Sequence, residues 1–294
     1  MDILKPTPVP SGNPILGHLS EFGREPLDFL TRCAAEFGDL AELRFFNRRV
    51  FLLSQPAAIE SVLVRHSTAF RKSITYRMPI MRRLFGEGIF TSEGGLWSRQ
   101  RKVLQAWLSG DRTEEYLGLL SEDAEELLVR WREGGRRDIH ADMLSLSAQS
   151  FGRFLVGDLD PPDREALMAA ARETQQLFAR QFSWRALLGN FLPLPATLRH
   201  SRVLKRLHAR LQNRILHRRR QSAGEDYLGH LLAQRDEHGR ALNDRLIRDE
   251  LMTLFFAGAE TTALVLTWSL YLLARHPEIL ARVQKEIRDP FEGR

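Results

Sequence analysis

A run of apolar side chains from Leu251 to Ala274 is interrupted by Ala257-Gly258-Ala259-Glu260-Thr261-Thr262. A carboxylate in the middle of an apolar helix costs free energy unless something requires it there. Glu260 can exchange a proton with water or with the hydroxyl beside it. Thr261 can turn its hydroxyl back to the carbonyl of Ala257, four residues earlier, and such back-bonding opens or bends a helix locally. Gly258 lets another body approach the backbone closely. Two readings follow. One is proton delivery to a ligand held at the gap. The other is a close helix–helix contact through Gly258 and Ala259, with Glu260 paired to a buried arginine. A second constellation is Trp97 and Arg101, four residues apart and so on one helix face. An indole N–H beside a guanidinium clamps a carboxylate or phosphate; the same spacing also makes an ordinary surface pair.

The elements that must position these groups can be traced from spacing. The apolar run predicts a long helix over 243–275, closed by Arg275-His276-Pro277. It is apolar nearly all round, which predicts burial on all sides. Its length would suit a membrane span, but Glu260 and several Ser/Thr at mid-depth argue against one. Prolines 6, 8, 10 and 14 make residues 1–20 an extended lead-in. Leu27, Leu30, Ala34 and Phe37 have helical spacing, with Gly38 as the stop. Leu40 to Leu53 reads as a hairpin turning at Asn47-Arg48-Arg49, and Pro56 opens a short helix through Val64. Residues 71–95 read as loop. Helices are then expected over Trp97–Leu108, Thr113–Arg132, 141–156, Asp163–Phe182 and 196–221, with a break at Phe191–Pro195, and a last one over Pro277–Ile287. The expected fold is mainly α with a small N-terminal β-sheet, as one domain over 1–294. Residues 1–70 hold the lead-in, a helix and the sheet; 71–294 hold the helical part.

Composition narrows the function class. The chain is 43% hydrophobic and 27% charged, as in soluble globular proteins. A formal charge of +6 favours acidic partners without choosing one. Cys33 is the single cysteine, which excludes an intrachain disulfide framework and a cysteine-rich zinc site; no metal-ligand set is assigned. The N-terminal residues carry no apolar stretch fit for a signal peptide or membrane anchor, and a cytoplasmic location is expected. The 196–221 helix is strongly basic, ending in Arg218-Arg219-Arg220, with Leu204, Leu207, Leu211 and Ile215 as its apolar stripe. It reads as the solvated face of a packed helix. No zinc-finger or RNA-binding signature accompanies it, so no nucleic-acid partner is expected.

The ordered set of motifs carries more information than any one of them. Pro8-Val9-Pro10-Ser11-Gly12-Asn13-Pro14-Ile15-Leu16-Gly17 is followed by Gly86-Glu87-Gly88-Ile89-Phe90-Thr91 and Trp97-x-x-x-Arg101. Asp226-Tyr227-Leu228 then leads into Ala257–Thr262 and His276-Pro277-Glu278. In this order the chain resembles the cytochrome P450 haem-thiolate monooxygenases of the soluble bacterial type, over residues 6–288. The resemblance implies haem as cofactor, bound through its propionates by Trp97 and Arg101. It implies an oxygen pocket lined by Ala257 and Gly258, with Glu260 and Thr261 as the catalytic pair that delivers protons. Ile89 and Phe90 would line the substrate pocket. The implied partners are a small apolar substrate, O2 and an electron-donor redox protein. The family's iron is held by a cysteine in a Phe-x-x-Gly-x-x-x-Cys loop. Cys33 does not match it, since Phe29 and not glycine precedes it by four. The family's Glu-x-x-Arg helix is not found either, since Glu133-Gly134-Gly135-Arg136 reads as loop. The expectation is therefore a P450-like fold truncated before the haem-thiolate loop, inactive alone and poorly soluble. The alternative is a non-enzymatic helical binding module, or one half of a fold completed by a partner.

Overall fold

The computed structural model describes residues 7–109, 112–181, 195–221, 224–236 and 238–288. The polypeptide groups into two compact units, Met1–Ile74 with Gln176–Thr197, and Thr75–Gln175 with Leu198–Arg294.

The first unit holds α1 (Leu19–Phe22), α2 (Pro26–Phe37), β1 (Leu40–Phe45), β2 (Arg48–Leu53) and α3 (Pro56–Glu60), the last running into a π turn over Ser61–Arg65. The strands pair antiparallel, Leu40 opposite Leu53 and Phe45 opposite Arg48. The turn is thus Phe46-Asn47, earlier than expected, and Arg48 and Arg49 belong to the strand. A two-residue hairpin loop needs left-handed backbone, and Phe46 supplies it at φ 55°. Arg49 reaches across the ladder to Glu42 at 2.6 Å. The proline lead-in is stitched to the same hairpin: the Glu42 N–H donates to the Pro8 carbonyl at 2.9 Å. His18 Nδ1 accepts the Arg44 N–H at 2.9 Å. The ring proton therefore sits on Nε2, which donates to the Pro10 carbonyl at 3.0 Å. Phe29, Cys33 and Leu43 form the buried core, flanked by Phe22, Phe45 and Leu52. Burial pushes the Cys33 thiol up from its ordinary pKa, so it is an inert core residue.

The second unit carries α4 (Pro79–Phe85), α5 (Gly94–Leu108), α6 (Arg112–Arg132), α7 (Ile139–Val156), α10 (Tyr227–Ala233), α11 (Asp244–Arg275) and α12 (Pro277–Arg288), with most of α8 (Pro161–Gln181) and α9 (Pro195–Arg220). Side-chain caps start four of them. Asp138, Asp160, Asp226 and Asn243 accept the N–H of Ala141, Asp163, Gly229 and Leu246 at 3.1, 2.8, 2.8 and 2.7 Å. Helices α4 and α10 were not expected; each has seven residues, too few for a 3.6-residue period to declare itself. Phe182 and residues 191–194 of the expected break lie outside the described residues.

Two sequence expectations meet tertiary structure here. Helix α9 buries the stripe Leu204, Leu207, Leu211 and Ile215. Part of its basic face is spent on neighbours: Arg199 pairs with Glu173 at 2.5 Å, Arg214 with Asp163 at 3.4 Å, Arg218 with Asp226 at 2.8 Å and Arg219 with Asp244 at 2.6 Å. Helix α11 is not buried on all sides. Ile247, Leu251, Met252, Phe255, Phe256, Ala259 and Ala263 are buried, but Leu264, Val265, Trp268, Tyr271 and Leu272 beyond them are exposed. The reason is coverage: α7 and α4 are its main neighbours, and they lie against its first half. By length and composition α11 could cross a membrane, and it is the one such helix among the described residues.

Candidate functional site

Three pieces of the second unit bear the residues singled out from sequence. The first is α5. Arg101 lies over the ring of Trp97, its Cζ 5.2 Å from the centroid, so the i, i+4 pair forms a cation–π contact. Arg101 is exposed, and no carboxylate pairs with it among the described residues. The guanidinium keeps donors available on the face that carries the indole.

The second piece is the middle of α11. The Thr261 hydroxyl donates to the Ala257 carbonyl at 2.7 Å. The expected local opening does not follow, because α11 is α-helical from end to end. Nor is the bond special to this turn. Thr253 donates to the Asp249 carbonyl at 2.8 Å and Thr267 to that of Ala263 at 2.7 Å. Ala257 and Thr261, one turn apart, are both exposed. Gly258 points elsewhere. A Cβ there would lie 2.4 Å from Cε1 of Phe151 on α7, so its bare Cα serves the α7 contact. Glu260 is half-buried, and desolvation pushes its carboxyl above the usual carboxylate range, with His140 on α7 opposing the shift. No arginine or lysine pairs with Glu260 among the described residues. The close helix contact is therefore present, and its supposed arginine partner is not.

The third piece is the loop 86–92, within the stretch 71–95 read from sequence as loop. Two adjacent acids on α11 hold it. The Glu87 N–H donates to Asp249 Oδ2 and the Ile89 N–H to Glu250 Oε2, both at 3.0 Å. Asp249 is 2% exposed and Glu250 3%; carboxylates this deep need such donors to offset lost hydration. Arg248 adds a 2.7 Å ion pair to Asp249. The loop lies so close that a Cβ on Gly88 would fall 2.0 Å from Thr253 Oγ1. On its other side Gln100 donates to the Glu87 carbonyl at 2.7 Å and accepts from Ser92 at 2.5 Å. Phe90 then projects from a pinned loop, edge-on to Tyr76 at 5.0 Å and Phe85 at 4.9 Å. Phe85 in turn meets Phe256 of α11 at 6.2 Å. The structure thus ties Ile89 and Phe90 to α11, and pairs Trp97 with Arg101 and Thr261 with Ala257. No hydrogen bond links Arg101 to Glu260 or Thr261 among the described residues. Asp249, Glu250, Gln100 and Thr253 were missed. The available signal was the adjacent acids Asp249-Glu250 at the start of an apolar run.

The cytochrome P450 family model matches residues 7–294. The chain belongs to that family. Pentalenene oxygenase of Streptomyces avermitilis is 30% identical over 288 residues, covering 97% of this chain and 63% of that protein. Cyclooctat-9-en-7-ol 5-monooxygenase of Streptomyces melanosporofaciens is also 30% identical, over 97% of this chain and 62% of its own length. Among solved structures, the haem domain of cytochrome P450DA superposes with a TM-score of 0.78 at 26% identity, over 98% of this chain and 64% of that one. This P450 chain therefore spans a little under two thirds of the relatives it matches.

Whether the residues present fit a haem can be judged from their chemistry. Arg101, paired with Trp97 and lacking a carboxylate partner among the described residues, suits an anionic propionate. The exposed Ala257–Thr261 turn offers a small side chain and a hydroxyl on one face. Cys33, at 4% exposure inside the core of the first unit, is not an iron ligand. The fit is to the propionates and to one face of the group.

Proposed function

We propose that this chain is part of a haem-dependent monooxygenase that inserts one oxygen atom of O2 into a small apolar substrate. The overall balance is R–H + O2 + 2e⁻ + 2H⁺ → R–OH + H2O, with the electrons from a separate donor protein. A cyclic hydrocarbon-like substrate is favoured, being the kind of compound that the names pentalenene oxygenase and cyclooctat-9-en-7-ol 5-monooxygenase denote. The packing of the first half of α11 on α7 favours reading it as a core helix rather than a membrane span, the reading with which a cytoplasmic setting goes.

Haem, when bound, supplies the activation of dioxygen. The remaining tasks fall to side chains. Trp97 and Arg101 bind the propionates and so orient the macrocycle. Glu260 accepts and releases a proton at its carboxyl, and the raised pKa keeps it closer to neutral pH than a solvated glutamate. Thr261 holds a water at its hydroxyl for that transfer. Ala257 keeps the turn narrow beside it, while Gly258 lets α7 pack closely behind. Ile89 and Phe90, held by Asp249 and Glu250 through the loop backbone, give the substrate an apolar wall and exclude water.

The observation that carries this reading is the half-buried Glu260, raised by desolvation and without an arginine or lysine partner among the described residues, adjacent in sequence to Thr261. The test is a coupling measurement on the haem-loaded protein with its electron donor. Thr261→Val and Glu260→Gln should each lower product formation by roughly 10²-fold, with electrons diverted to hydrogen peroxide. Unchanged product per electron pair in both variants would refute the assignment.

A further inference from the structure

A groove of about 740 Å³ lies between α5, α10 and the start of α11, and none of the residues assigned above to haem or protons lines it. Its volume falls in the range of small-molecule sites, about 300–1,000 Å³. Its walls include Leu96 and Val103 of α5, Leu231 of α10 and Leu246 of α11. On α5, at about 100° per residue, these positions stand about 100–160° around the helix from Trp97 and Arg101.

The charges around this apolar trough do not cancel. Asp236 is satisfied by Arg240, with an ion pair at 2.9 Å and backbone N–H donors from His238 and Arg240 at 2.9 Å each. Glu250 is buried and accepts the Ile89 N–H. Glu87, exposed at the edge, is the acid left over. Against it stand Arg99, which also lines the groove, and two cations with no carboxylate partner among the described residues. Lys102 is exposed. Arg235 gives Nη1 to the carbonyls of Leu232, Ala233 and Gln234 at 3.1, 3.1 and 2.9 Å, so neutral groups satisfy its hydrogen bonds and leave its charge uncompensated. An apolar trough bordered by unbalanced cations complements an apolar tail that ends in a carboxylate.

We propose that this groove binds a small anionic amphiphile, a medium-chain carboxylate, with its tail over Leu96, Val103 and Leu231 and its head at Lys102 and Arg235. The site is separate from the haem reading and does not depend on it. Calorimetric titration of the chain with dodecanoate, and in parallel with uncharged dodecanol, tests the idea. Dodecanoate should bind at one site, about tenfold more tightly than dodecanol. Lys102→Glu, a surface change that leaves the fold intact, should weaken dodecanoate by about tenfold. Val103→Trp should block the trough and abolish binding. Val265→Glu, on the exposed apolar face of α11, should leave binding unchanged. The proposal is overturned if dodecanoate does not bind, if dodecanol binds equally well, if Lys102→Glu has no effect, or if Val265→Glu abolishes binding while Val103→Trp does not.

Discussion

Replacing Gly258 with alanine sets helix propensity against packing. In a helix interior alanine is favoured over glycine by about 1 kcal/mol, so propensity alone predicts a more stable protein. The new Cβ, however, would stand 2.4, 2.6 and 2.7 Å from Cε1, Cδ1 and Cζ of Phe151. Ordinary carbon–carbon contact is about 3.5–4.0 Å, so the overlap is about 1 Å against most of a ring edge. The ring has little room to retreat, because Tyr116 and Phe154 pack on it at 5.7 and 6.0 Å. Overpacking of this kind costs about 1–3 kcal/mol. The clash should therefore win, leaving Gly258→Ala about 1 kcal/mol less stable than the parent. Urea unfolding followed by far-ultraviolet circular dichroism measures it, provided the slope is unchanged. Phe151→Leu supplies the control. In the double variant the clash is gone, and the two changes should couple by about 2 kcal/mol in the stabilising direction. A Gly258→Ala protein as stable as the parent, or more so, would refute the packing account.

Two further outcomes follow from buried charge. Asp249→Ala removes the acceptor of the Glu87 N–H and strips Arg248 of its partner, and should cost about 2–3 kcal/mol. Amide exchange at Glu87 should speed up selectively, and an unchanged rate there would sink the claim that Asp249 pins the loop. His208 is held down to a pKa of about 4 by burial, with Arg248 lowering it further and Asp249 opposing. Above about pH 6.5 both folded and unfolded chains carry it neutral. Between 6.5 and about 4 the unfolded chain takes a proton that the folded chain refuses, so stability falls as pH falls across that window. The gap corresponds to at most about 3 kcal/mol, or about 2 after allowing for solvent screening. His208→Gln should flatten that part of a denaturation series taken from pH 7 to pH 4; an identical slope in both proteins would exclude His208 as its source.

The sequence was most legible where geometry is local. Trp97 and Arg101 meet because four residues make one helical turn, and the Thr261 back-bond follows from the same spacing. The hairpin was legible as a pair of strands, while its turn was displaced, because Phe46 rather than a more permissive residue adopts the left-handed conformation. What could not be read depends on partners distant in the chain. Nothing near Gly258 announces the Phe151 ring it accommodates, and nothing near Ile89 announces the Glu250 carboxylate that accepts its N–H. The uneven burial of α11 was hidden for the same reason. A uniformly apolar helix says that it wants cover, not how much of it α7 reaches.

The Thr261 hydroxyl has one proton, and the Ala257 carbonyl holds it at 2.7 Å. What the turn shows to a visitor is therefore the lone pairs of the Thr261 oxygen, the carbonyl already accepting both that hydroxyl and the helical N–H of Thr261. A visitor that brings its own hydrogens, such as water or a protonated carboxyl, can donate to that oxygen. A bare anion finds no donor there until the threonine lets go of the carbonyl. The turn thus selects its guests by whether they arrive with a proton, before any reaction begins.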